Sequence, residues 1–183
     1  VSSSDLTTTR VAEAIGQGRI GSRLYVYANY HCNLACSYCL TESAPDAAAR
    51  MLPPDRIEAI AAQAPHLGFR GLGVTGGEPF LLSEMPELLQ RLTDILPVVV
   101  LSNGTLFSDA RLERLRPLGG RDVRIQISLD SSDPVANDEM RGPANFRKVV
   151  EAIPKLVDMG IGVRIASTRG FVDEDDMAAL CEL

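Results

Sequence analysis

From residue 24 onward the chain alternates between short apolar runs and longer segments whose apolar residues recur every three or four positions. The runs cover 24–30, 72–75, 98–101, 123–129 and 161–166, each of strand length and rich in β-branched or aromatic residues. Between them the 3.6-residue period predicts helices. One begins at Pro54, a favourable residue for a first turn, and puts Ile57, Ile60, Ala61 and Ala64 on one face. A second is expected to be capped by Ser83 and carries Leu88, Leu92 and Ile95, and a third contains Leu112 and Leu115. After a polar loop, a fourth starts at Asn145 and turns Phe146, Val149, Val150, Ile153 and Val157 inward, with a kink expected at Pro154. The acidic run 173–176 opens a last helix holding Met177, Leu180 and Cys181. Residues 1–23 are rich in Ser, Thr and Gly, with one apolar patch at 11–15, and read as an extension with one short helix.

Regular β/α alternation with strands read as continuous apolar runs predicts a parallel sheet covered by helices, in the α/β class. Five β/α units are visible. They can wind as an open sheet or curl as part of a barrel, and periodicity does not choose. In both arrangements chemistry collects at the carboxyl ends of the strands. The expected division is an extension over 1–23 and one core domain over 24–183. The chain starts at Val1 and stops at Leu183 inside a helical pattern, so a truncated fragment of a longer protein is expected.

Composition changes little in this picture but excludes several functions. With 45% apolar and 23% charged residues the chain is of ordinary globular type, and its net charge of −6 without a Lys/Arg run leaves no footprint for nucleic acid or an anionic membrane. No apolar stretch approaches the roughly 20 residues of a membrane span, and residues 1–23 lack the apolar core of a secretory signal. A cytoplasmic location is expected. Three of the four cysteines fall within eight residues, which reads as metal ligation in a reducing compartment rather than as disulfides.

That cluster follows the first strand as Tyr30-His31-Cys32-Asn33-Leu34-Ala35-Cys36-Ser37-Tyr38-Cys39, a C-x₃-C-x₂-C spacing. Three thiolates from one loop can ligate three irons of a cubane and leave the fourth open. The same donors with His31 would also satisfy zinc as Cys₃His. After the second strand comes Gly76-Gly77-Glu78-Pro79, where glycines permit close backbone approach and Glu78 can accept from an ammonium; alone, such a segment is also an ordinary turn. Ser102-Asn103-Gly104-Thr105 and Ser128-Leu129-Asp130-Ser131 end the third and fourth strands with small hydrogen-bonding groups, either ligand contacts or turn-forming caps. Arg141 stands in the following loop, where a guanidinium suits a carboxylate but is equally at home in solvent.

The cysteine triplet, the aromatic Tyr38 before its last member, and the Gly-Gly-Glu-Pro downstream together resemble the radical SAM superfamily over residues 24 to about 170. The resemblance implies a partial (β/α) barrel, five of about six units being visible, with a [4Fe–4S] cluster on Cys32, Cys36 and Cys39. S-adenosylmethionine (SAM) would bind the open iron and be cleaved to a 5′-deoxyadenosyl radical that abstracts hydrogen from substrate. By the same resemblance Gly76, Gly77 and Glu78 hold the methionine ammonium, and Ser102, Asn103, Ser128 and Asp130 reach the ribose and methionine. Arg141 approaches the SAM carboxylate and Tyr38 packs near adenine. The Ser-Asn-Gly and Ser-Leu-Asp signatures resemble the branch of peptide-modifying and cofactor-maturing enzymes. The implied partners are a small-molecule or peptide substrate and an electron donor such as flavodoxin or ferredoxin. Two other readings remain: a zinc-stabilised β/α binding module, and a catalytically silent homologue with a regulatory role.

Overall fold

The computed structural model describes residues 3–48, 50–168 and 174–180. Five parallel strands, β1 (Arg23–Asn29), β2 (Gly71–Gly76), β3 (Val98–Ser102), β4 (Val123–Ser128) and β5 (Gly162–Ala166), lie side by side in chain order. The connections are α2 (Pro54–Gln63), α3 (Met85–Thr93), α4 (Asp109–Leu115), α5 (Pro134–Arg141) and α6 (Asn145–Asp158), with α1 (Ser3–Gly16) before β1 and α7 (Glu174–Leu180) after β5. Among the described residues β1 and β5 pair only with β2 and β4, so the sheet is not closed, as a partial barrel requires. No described helix is long and apolar enough to cross a membrane.

The core lies on one face of this sheet. Val26, Ala28, Leu72, Val74, Val98, Val100, Ile125 and Ile127 are buried against Ile57, Leu88, Leu92, Leu115 and Leu156 of the helices. The opposite face is different. β4 alternates buried with accessible residues, and on β1 Tyr25 and Tyr27 are 48% and 46% exposed. Only β2 and β3 match the expected continuous apolar run; β1, β4 and β5 carry the period of two typical of a sheet covered on one side.

Four local expectations need revision. Ser83 does not cap α3; its hydroxyl donates to Glu84 instead, and the chain first makes a 3-10 turn over Pro79–Leu81 whose N-cap is the Glu78 carboxylate. The polar loop before Asn145 contains α5, started by Asp133, whose carboxylate accepts from the Val135 and Ala136 N–H groups. In α6 the inward face is Val149, Ala152 and Leu156, whereas Val157 is 53% exposed; the helix continues through Pro154. The N-terminal segment is helical over 14 residues, with Ala12 against Gly68. Cys181 and the residues opening α7 before Glu174 lie outside the described residues.

Candidate functional site

The cysteine loop leaves β1 at an irregularity between Tyr27 and Asn29 and is tied back on both sides. Tyr30 N–H donates to Arg50 (3.0 Å) and Leu52 N–H to Ala28 (2.8 Å), so the loop returns beside its own strand. Its middle is fastened to α5 by Ser37 N–H to Met140 O (3.4 Å). Cys32 is buried, Cys36 and Cys39 are half-buried, and all three are free thiols. The Leu34 and Ser43 N–H groups point at the sulfurs of Cys32 and Cys39, each at 3.4 Å, and the Asn103 amide reaches Cys32 Sγ at 3.6 Å. Burial pushes the Cys32 and Cys36 thiols up. For Cys39 burial also acts upward, but hydrogen bonds from Thr41 and Ser43 outweigh it and hold the thiol below its ordinary value.

Gly76 and Gly77 are required by the backbone of the preceding loop rather than by open space. A Cβ on Gly76, at φ 131°, would sit 2.1 Å from Asn29 O, and one on Gly77 2.1 Å from His31 O. Asn29 completes this junction: its side chain donates to Glu78 O (2.9 Å) and accepts from Gly77 N–H (3.2 Å). The strand ends of β1 and β2 are thereby locked together.

The Glu78 carboxylate, expected at the ligand ammonium, is wholly buried, and Glu78 is not among the residues that line the pocket. Oε1 accepts from Phe80 N–H and Ser102 Oγ, both at 3.0 Å, while Oε2 accepts from Asn103 N–H (2.7 Å) and Ser102 Oγ (3.1 Å). Burial nonetheless pushes its carboxyl above the usual range, against these donors and the charge of Arg111. Glu78 thereby ties the end of β2 to the end of β3.

Asn103, so held, organises the next layer. Its amide donates to Asn33 Oδ1 (2.9 Å), its carbonyl oxygen Oδ1 accepts from Thr105 N–H (3.0 Å) and Oγ1 (2.7 Å), and Asn33 donates to Thr105 Oγ1 (2.8 Å). Beneath it the Asn145 amide donates to Asn103 O (3.1 Å) and receives the Asn137 amide at 3.0 Å.

The third cluster joins β4 to the cysteine loop. The wholly buried Asp130 accepts from Arg141 Nη1 (2.8 Å), Thr168 N–H (2.8 Å) and the Tyr38 hydroxyl, and Arg141 also donates to Tyr38. Burial disfavours the Asp130 anion, yet these three donors together hold its carboxyl below the usual range. Burial and the bond to Asp130 push the Tyr38 hydroxyl up. Arg141 Nε is buried and lacks a hydrogen-bond partner among the described residues. A buried donor of that kind costs about 1–3 kcal/mol unless something accepts from it.

These clusters surround one pocket of about 690 Å³ at the carboxyl ends of the strands. Cys32, Cys36, Cys39, Tyr38, Gly76, Gly77, Ser102, Asn103, Ser128 and Arg141 all line it; Glu78 and Asp130 support it from behind. Sequence reasoning missed Asn29, Asn33, Asn137, Asn145 and Thr168. Each is a small polar residue beside a strand end or helix start, a pattern that solvent-facing turns share. His31 is not on the pocket wall, its Nδ1 lying 3.4 Å from Ala47 O, and no three His, Cys, Asp or Glu side chains converge on a single-ion site among the described residues. Three thiols on one pocket supply the donor set that three corner irons of a cubane take.

A parallel β/α sheet with a three-thiol loop at its carboxyl edge defines the class, and comparison with known proteins specifies it. Residues 26–182 match the model of the radical SAM superfamily. The chain is 31% identical over 144 residues to a probable GTP 3′,8-cyclase of Archaeoglobus fulgidus, covering 79% of this chain and 47% of that one. It is 32% identical over 139 residues to the AdoMet-dependent heme synthase of Nitratidesulfovibrio vulgaris, covering 75% and 37% respectively. Streptococcus suis SuiB bound to S-adenosylmethionine superposes with a TM-score of 0.77 at 20% identity, over 95% of this chain and 41% of that one. SuiB bound to precursor peptide SuiA gives 0.71 at 20% identity, over 95% and 39%. The chain belongs to the radical SAM superfamily, whose cofactors are a [4Fe–4S] cluster and SAM. It spans less than half the length of these relatives.

Proposed function

We propose that this chain holds a [4Fe–4S] cluster on Cys32, Cys36 and Cys39 and uses it to cleave SAM reductively for hydrogen abstraction from a substrate. The observation that carries this reading is that all three thiols open onto one pocket together with Asn103 and Ser128 from successive strand ends and Arg141 from the end of α5. When bound, the cluster supplies the electron that breaks the S–C5′ bond of SAM, giving a 5′-deoxyadenosyl radical. The chain's residues bind and orient. Arg141, fixed by Asp130 and lining the pocket, offers its guanidinium to the SAM carboxylate, and the Tyr38 ring, 6.0 Å from the Arg141 guanidinium carbon, shields that pair from water. Gly76 and Gly77, on the pocket wall, receive the methionine ammonium, with Glu78 bracing the loop from behind. Asn103 and Ser128 reach the ribose and methionine hydrogen-bonding groups, beside Ser102, whose hydroxyl donates to Glu78.

A peptide or peptide-derived natural product is the preferred substrate class, in line with SuiB bound to a precursor peptide; the cyclase and heme synthase names keep small molecules in view. A reducing donor of the flavodoxin or ferredoxin kind, and the cytoplasm as a compartment that keeps the thiols reduced, belong to the same reading. Anaerobic reconstitution tests it. The chain should take up about four irons with sulfide, and Ala at Cys32, Cys36 or Cys39 should abolish uptake while Ala at Cys181 leaves it intact. With SAM and dithionite it should release 5′-deoxyadenosine. Zinc in place of iron would sink the cluster, and an intact cluster without 5′-deoxyadenosine would establish the silent homologue.

A further inference from the structure

The face of the sheet opposite the helices is not filled the way a parallel barrel interior usually is. Such interiors are packed with Val, Ile and Leu. Here the cross-strand register places Tyr25, Gly73, Val99, Arg124 and Gly162 in one row; two residues further on it sets Tyr27 beside Thr75, and Leu101, Gln126 and Arg164 side by side. The glycines keep the face hollow. A Cβ on Gly73 would fall 2.3 Å from the Tyr25 ring, and one on Gly162 would approach Arg124 Nε at 3.7 Å, so both long side chains lie over a neighbouring strand.

Arg124 and Arg164 are both accessible, and neither has an ion-pair partner among the described residues, although six other cations do. Arg164 donates to the side-chain oxygen of Gln126, a neutral acceptor, and Gln126 lines the SAM pocket. Arg124 and Arg164 stand on adjacent strands, offset by one side-chain row of about 7 Å. An oxyanion between them would accept from both forks.

We infer that Arg124 and Arg164 form an anion subsite beneath the SAM pocket, which binds a carboxylate or phosphate group of the substrate. This rests on the reading of the pocket as the reaction site, but its test does not use the cluster. Calorimetric titration of the chain with pyrophosphate, and separately with glutarate, should show saturable binding of at least one, the tighter naming the chemical source. Arg124→Gln and Arg164→Gln should each weaken it about tenfold, whereas Arg121→Gln, at a paired surface site, should not. The stabilising anion should also raise the parent's unfolding temperature, and this rise should vanish in both variants. No saturable binding of either anion, or equal binding by parent and both variants, overturns the subsite. Either result leaves iron uptake and SAM cleavage to stand or fall on their own.

Discussion

Replacing Glu78 by Gln is the sharpest probe of how the site is held together. The parent carboxylate is saturated by donors, with Phe80 N–H and Asn103 N–H on separate oxygens and Ser102 Oγ shared between them. Gln keeps one acceptor oxygen and presents an NH₂ on the other side, so either Phe80 or Asn103 N–H must face a donor. A buried N–H left in this way costs about 1–3 kcal/mol, and relief of the carboxylate's own desolvation offsets part of it. The expected net loss is therefore about 1–2 kcal/mol, or roughly 2–8 °C in Tm for a chain of this size. Urea unfolding of parent and variant, read by circular dichroism, measures it. Iron uptake should survive, since no carboxylate ligates the cluster. SAM affinity should fall only through displacement of Asn103, whose amide reaches Cys32 Sγ at 3.6 Å. A variant as stable as the parent would refute the bracing role, and normal stability with strongly weakened SAM binding would restore the direct contact that burial argues against.

Asp130→Asn should cost about 3–5 kcal/mol, because it leaves the Arg141 cation buried without its counter-charge. Since the folded Asp130 carboxyl lies below its unfolded value near 3.9, its contribution is complete above that value and lost as pH falls through the folded one. Acid titrations should thus show parent and Asn variant converging at low pH; a constant gap would contradict the shift. Gly77→Ala, which would set a Cβ 2.1 Å from His31 O, should disrupt the loop junction and abolish iron retention, whereas Gly120→Ala, with open space around it but φ 75°, should cost only about 1 kcal/mol and retain iron. Iron assay on the two purified variants decides this, and equal retention would remove the steric argument.

The order of strands and helices was legible because burial imposes a period, and the two periods differ enough to separate β from α. What failed is equally physical. The sequence over 134–141 reads as loop because Asn137 and Arg141, polar by type, are buried in the site rather than displayed on a surface. Ser83 was read as a cap because Ser caps commonly, but an acid with two nearby N–H donors competed: Glu78 captured the Phe80 N–H and set a 3-10 turn ahead of α3. In α6 the face slipped because Val150 and Val157 match the period as well as Ala152 and Leu156 do, and only the neighbours decide which row is covered.

For the site, residue type and spacing identified the chemistry but not which side of the pocket wall each group occupies. Glu78 and Arg141 show why. Both are charged, both follow a strand, and sequence reasoning aimed both at the ligand. The structure gives Glu78 a full set of donors and seals it away, while Arg141 has a place on the wall and, among the described residues, donates through Nη1 alone. The difference lies in the partners: Ser102 and two backbone N–H groups turn toward Glu78, whereas Asp130 satisfies only part of the Arg141 fork. A five-donor guanidinium is hard to saturate inside a protein, and a carboxylate at the start of a turn is easy. In a strand-end pocket of this kind, the buried cation is therefore the group left with capacity for a ligand, and the buried anion is the one that builds the wall.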